Sequence, residues 1–189
     1  MPNWCSNNIH LQHEDPKMVK RAVDSLIEGK FFQEFIPCPE ELYDTESTMG
    51  YATSKDHEKQ MQENVSKHGY TDWYSWCTDN WGTKWDVGCK EVLSINSDYN
   101  DNTTEIQFYF DSAWCPPIKA YEKLTEMGFD IQAYYYESGC SFCGKWESDG
   151  GDFYYDVPET IEEALEEIPD DILDEFGIID DIESQIEEL

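Results

Sequence analysis

Residues 4–12 alternate, with Cys5, Asn7, Ile9 and Leu11 on one side, and predict a strand. Asp15 then stands at a capping position with Pro16 at the first helical one. Met18, Val19, Ala22, Val23, Leu26 and Ile27 form one helical stripe, which Gly29 ends. Residues 31–86 break this regularity. They hold Pro37 and Pro39, a weak helix near 55–67 and a stretch rich in Trp and Tyr. Period two returns at 87–96, through Cys89, Glu91, Leu93 and Ile95. It returns again at 104–111, where Ile106, Phe108 and Phe110 oppose Glu105, Gln107 and Tyr109. Pro116 and Pro117 open a second helix carrying Ile118, Tyr121, Leu124 and Met127, and Gly128 closes it. Residues 129–137 read as a further strand, with Phe129, Ile131, Ala133 and Tyr135 inward. A hairpin around Ser148–Gly151 joins strands at 142–147 and 152–156.

The order β-α-β-β-α-β is that of a split β-α-β unit, so an α+β, ferredoxin-like fold is expected. Strands 4–12, 87–96, 104–111 and 129–137 should form one antiparallel sheet, with helices 16–28 and 116–127 on the same face. The division expected is a domain over 1–147, with a structured insertion at 31–86, and an acidic helical extension over 148–189. In the extension, Ile161, Ala164, Leu165 and Ile168 recur at helical spacing, Pro169 interrupts, and Ile172, Leu173 and Phe176 follow, an apolar stripe that should dock rather than stay free. Docking would turn Glu162, Glu163, Glu166, Glu167, Asp170 and Asp171 outward.

Charge sharpens this picture. Twelve Lys and Arg face forty-two Asp and Glu, a net −30. Residues 147–189 hold eighteen of the acids and no Lys or Arg. Such a chain cannot neutralise phosphates, so direct nucleic-acid binding and association with anionic membranes are not expected. Basic protein surfaces are the natural partners. If helical, the extension carries about one charge per 3.6 Å, close to the spacing along one DNA strand. The N-terminus has neither a basic nor an apolar leader segment, so the seven cysteines read as reduced cytoplasmic thiols.

Four segments recur in one family. They are Met1-Pro-Asn-Trp-Cys-Ser-Asn7, Asn80-Trp-Gly-Thr-Lys-Trp-Asp86, Asp111-Ser-Ala-Trp-Cys-Pro-Pro117 and Tyr136-Glu-Ser-Gly-Cys-Ser-Phe-Cys-Gly144. Over residues 1–147 the chain resembles the YubB-like ferredoxin-like proteins encoded by bacteriophages and conjugative plasmids. The resemblance implies a ferredoxin-like fold and a phage or plasmid protein. It supplies no catalytic residues, and the acidic extension lies outside it.

Candidate chemistry gathers in the second segment. Asn80, Trp81, Thr83, Lys84, Trp85 and Asp86, with Trp114, can stack a flat ligand and fix its polar edge. The same residues can equally pack the insertion over the sheet. Cys140 and Cys143 form a lone C-x-x-C, a weak metal or redox candidate without a second ligand pair. Pro2, once Met1 is removed, would offer a secondary amine, though it serves equally to start the first strand. No catalytic motif is recognised, and no cofactor or enzymatic activity is expected.

Two functions follow. The first is an acidic phage or plasmid protein that binds and inhibits a bacterial host protein, in counter-defence or host takeover; its sharp form is DNA mimicry, against which the acidic run reads equally as a solvated helical face. Its partner-facing acids would be Glu162, Glu163, Glu166, Glu167, Asp170, Asp171, Asp174 and Glu175. The alternative is a module that binds or sequesters a nucleotide-like ligand on the Trp-rich cluster.

Overall fold

The computed structural model describes residues 3–47, 54–94, 100 and 102–187. Pro2, Ile95 and Asn96 lie outside them. The first alternating segment is β1 (Trp4–Gln12), with Cys5, Asn7, Ile9 and Leu11 buried. α1 (Pro16–Glu28) follows. The Asp15 side chain accepts from the Lys17 N–H at its start, and Gly29 at φ +71° ends it. Left-handed backbone there carries no Cβ penalty for glycine.

The insertion folds into four helices: α2 (Phe31–Phe35), α3 (Glu40–Tyr43), α4 (Lys55–His68) and α5 (Trp73–Asn80). Then come β2 (Val92–Ser94), β3 (Glu105–Ala113), α6 (Ile118–Glu126), β4 (Asp130–Glu137), β5 (Phe142–Glu147) and β6 (Gly151–Asp156). The extension forms α7 (Ile161–Glu167), α8 (Asp170–Phe176) and α9 (Ile178–Glu187).

One sheet results, in the order β2-β3-β1-β4-β5-β6, with every neighbouring pair antiparallel. Its β4-β1-β3-β2 part is the expected split arrangement. Ile9, Leu11, Ile106, Phe108, Ile131 and Ala133 face a common core with Val19, Val23 and Leu26 of α1 and Tyr121 and Leu124 of α6. Both helices therefore lie on the same face. Phe31, Phe32 and Phe35 of α2, with Cys77 and Trp81, enter that core, which binds the insertion to the domain.

The second strand is shorter than predicted. Residues 87–91 do not pair with β3. Instead Cys89 N–H donates to the Leu26 carbonyl at 3.1 Å, and Phe31 N–H donates to Val87 at 3.3 Å. A Cβ at Gly88 would sit 2.6 Å from Gly29 Cα. This close approach to the end of α1 draws the chain out of the sheet before Val92.

The sheet does not end at the fourth strand. β5 pairs with β4, and β6 pairs with β5. Their second face presents Tyr134, Tyr136, Cys143 and Tyr155, on which Ala164, Ile168, Ile172, Leu173, Ile178 and Ile182 pack. The extension is docked, but its stripe differs from the predicted one. Of the stripe positions Ala164 is buried as expected, whereas Leu165 is 56% exposed. Helical geometry stops at Ile168, which is extended (φ −109°, ψ 131°) before Pro169, so a single helical stripe cannot run across this break.

Leu173 is 3% exposed within this second core. Leu173→Ala should lower stability by about 2–4 kcal/mol, read as a lower urea midpoint. An unchanged midpoint would mean that α8 contributes little to the folded state.

Candidate functional site

The segment 80–86 leaves α5 and crosses the end of β3. Thr83 Oγ1 donates to the Ala113 carbonyl at 3.1 Å, and Ala120 N–H donates to Trp81 at 3.1 Å. Gly82 has φ +82°, and a Cβ there would lie 3.2 Å from Ile118 N. Glycine is thus required where this loop passes the start of α6.

The predicted cluster divides into two groups. Trp81 is 1% exposed. Its indole N–H donates to the Ile36 carbonyl at 2.9 Å, and its ring meets Phe32 and Trp76. Asn80 accepts from Lys123 at 2.5 Å and donates to the Trp76 carbonyl. Asp86 accepts from the backbone N–H groups of Phe32, Gln33 and Val87 at 2.7, 2.9 and 2.8 Å. Its carboxylate thereby supplies the start of α2, whose N-cap Lys30 offers no side-chain bond. Burial pushes the Asp86 pKa up, while the three N–H donors pull it down. Asn80, Trp81, Thr83 and Asp86 are thus engaged in holding the loop.

Lys84, Trp85 and Trp114 form the second group, and Trp4 joins them. Trp4, Trp85 and Trp114 are 49%, 42% and 49% exposed. The Trp4 and Trp85 rings lie 5.8 Å apart. The Lys84 ammonium sits 4.1 Å from the Trp85 ring centre and 5.7 Å from that of Trp114. Trp114 adopts φ +76°, a costly conformation for a bulky residue. Beside this corner opens a cleft of about 270 Å³, lined by Tyr43, Trp73, Trp81 and Trp85, with Cys77, Lys84 and Asp86 contributing polar atoms.

The cleft thiol is held in its protonated form. A hydrogen bond to Cys38 and burial both push the Cys77 pKa up, and accepting that bond lowers the pKa of Cys38. The C-x-x-C residues do not share a site. Cys140 is exposed and accepts from Asn3 at 3.5 Å, while Cys143 is buried under the docked helices, its pKa pushed up to about 12. Among the described residues no group of three or more His, Cys, Asp or Glu is placed to hold a metal ion.

The predicted acids of the extension also divide. Glu162, Glu163, Glu166, Glu167, Asp170 and Asp174 are exposed. Asp171 keeps its exposure but is tied to the sheet, accepting from the Tyr134 hydroxyl at 3.1 Å and pairing with Lys145 at 3.4 Å. Glu175 is half-buried and accepts from Asn8 of β1. These two acids anchor α8. Lys145 also pairs with Glu147 at 2.7 Å. Burial works against its charge, but bonds to Glu147 and Tyr134 outweigh it and hold the ammonium's pKa above its ordinary value.

Comparison with known proteins places this architecture. The model of the ferredoxin-like domain in Api92-like protein matches residues 77–181. The chain belongs to that family. The match runs through α7 and α8 into α9, so the acidic helices lie inside the family domain rather than beyond it. The chain is similar to the uncharacterized protein YubB of Escherichia coli K12, at 32% identity over 76 residues. That alignment covers 39% of this chain and 48% of YubB, about half its length. The crystal structure of protein api92 from Yersinia pseudotuberculosis covers 84% of this chain and 99% of its own, with a TM-score of 0.42 and 8% identity.

The two groups at the corner should respond differently to substitution. Asp86→Ala strands three backbone donors and should cost about 1–3 kcal/mol in urea unfolding. Trp85→Ala, on an exposed side chain, should stay within about 0.5 kcal/mol of the parent. Equal losses would make Trp85 part of the scaffold as well.

Proposed function

We propose that this protein binds another protein through a fixed acidic surface, and that its partner is a bacterial protein with a basic groove. The observation that carries the reading is the docking of α7–α9. Apolar contacts and the Asp171 and Glu175 anchors hold the helices to the sheet, and six acids remain exposed in set positions. Positioned charges bind without the ordering cost that a free tail would bear. The net charge of −30 adds long-range attraction to a basic partner.

On this reading the exposed acids stand in for phosphates, and the partner is a host protein that uses the same groove for DNA. The resemblance of the four sequence segments is what supports carriage by a phage or plasmid, and counter-defence or host takeover is the role proposed for such a protein. Binding rather than catalysis is favoured because Asp86 and Cys77, two of the titratable groups of the cleft, are engaged in bonds within the fold. Among the described residues no helix is long and apolar enough to cross a membrane.

Capture from bacterial lysate over a salt series tests the reading. The control carries Gln or Asn at Glu162, Glu163, Glu166, Glu167, Asp170 and Asp174. The parent should retain a DNA-binding protein that salt or added duplex DNA releases, and the control should not. Equal retention by the control would remove the acidic surface from the account.

A further inference from the structure

We propose that the tryptophan corner and its cleft form a second binding site, selective for a planar aromatic molecule bearing an anionic group, of the size of a nucleoside monophosphate. The site is independent of the acidic helices. Three of the seven tryptophans, Trp4, Trp85 and Trp114, stand nearly half exposed at one corner of the sheet. Burying such rings is worth more than burying any other side chain, so leaving three together in water is costly. Trp114 adds backbone strain at φ +76° while its ring stays outside the core. Strain that packing does not offset points to a use for the exposed ring.

Lys84 sets the charge of the ligand. Acids outnumber bases more than three to one in this chain. Lys20, Arg21, Lys59, Lys119 and Lys145 each pair with a carboxylate. Among the described residues Lys84 pairs with none, a state shared with Lys17, Lys30, Lys55, Lys67, Lys90 and Lys123; what sets Lys84 apart is its place against two indoles at the cleft. Its ammonium rests over Trp85 and Trp114, where the ring faces partly offset its charge. Asp86, an acid lining the cleft, directs its oxygens to backbone donors of the α2 start and of Val87. A cationic ligand would meet Lys84 directly, and a neutral ring would leave it unanswered. A ring carrying phosphate or carboxylate satisfies both the indole faces and the ammonium.

Size sets the upper limit. The cleft of about 270 Å³ takes one base-sized ring system with a small substituent. The overall charge does not forbid this, because at physiological salt charges beyond about 8 Å are largely screened. A polynucleotide is different, since its further phosphates would meet the acid-rich remainder of the surface.

The test is titration of the full chain with the common nucleoside monophosphates, followed by Trp fluorescence and thermal melting. The matching nucleosides, inorganic phosphate and a single-stranded oligonucleotide serve as comparisons. At least one monophosphate should quench fluorescence and raise the melting temperature. Its nucleoside should bind about tenfold more weakly, and phosphate alone should leave fluorescence unchanged. Lys84→Gln should erase the difference between monophosphate and nucleoside. Trp85→Ala should remove the response to both while melting as a folded protein. The variant neutralised on the acidic helices should bind as the parent does, which separates this proposal from protein capture. No response to any monophosphate, an undiminished response in Trp85→Ala, or equal effects of phosphate and monophosphate would overturn it. A tighter response to the oligonucleotide would overturn it as well.

Discussion

The β4–β6 half of the sheet is apolar on both faces, and it must be covered twice. Ile131, Ala133 and Trp146 belong to the core under α1 and α6, while Tyr134, Tyr136, Cys143 and Tyr155 point the other way. No other described element packs into that second cluster, so α7–α9 complete the domain rather than trail from it. The acidic surface is a by-product of this cover. Helices that bury isoleucines against tyrosines must turn their remaining positions to water, and here those positions are Asp and Glu.

Stacking so many like charges carries a cost, and the helices reduce it by where the acids sit. Glu162 and Glu163, Asp170 and Asp171, and Asp180 and Asp181 occupy the first turns of the three helices, where unpaired N–H groups favour negative charge. At α7 the Thr160 side chain caps the helix and also ties down one of these acids. Glu163 N–H donates to Thr160 Oγ1 at 3.4 Å, and the Thr160 hydroxyl donates to the Glu163 carboxylate at 2.8 Å. Charge placement and helix placement thus support one another, although the last turns hold no base to complement them.

The fold was legible because its strands carry period-two patterns and its two main helices carry plain caps. What the pattern missed came from contacts distant in sequence. The approach of Gly88 to Gly29 shortened the second strand, and no local signal marks it. In α7 the stripe proved narrower than drawn: Ala164 is buried and Leu165 is not, and only the docking angle of the helix on the sheet decides between adjacent positions. At the corner, local composition gave the right segment but could not divide it. Trp81 and Trp85 are the same residue type four positions apart, and only the arrangement of α2 and α6 decides which is buried. Trp4 did leave a signal. It occupies the side of β1 shared by Ser6, Asn8, His10 and Gln12, and a tryptophan among polar positions asks for an explanation that a strand anchor does not provide.

β6 is the outer strand at one end of the sheet, with Phe153 and Tyr154 largely in water. Such an edge offers unpaired backbone groups to any other extended chain, and proteins commonly blunt it with charge. Here Asp152 and Asp156 lie within the strand itself, and every copy of the molecule carries the same strong negative field. Mutual repulsion opposes the pairing of two such edges. That protection depends on ionised carboxylates, and it fades as the pH approaches the isoelectric point near 4.1. Acid is therefore the condition under which this sheet would grow from one molecule into the next.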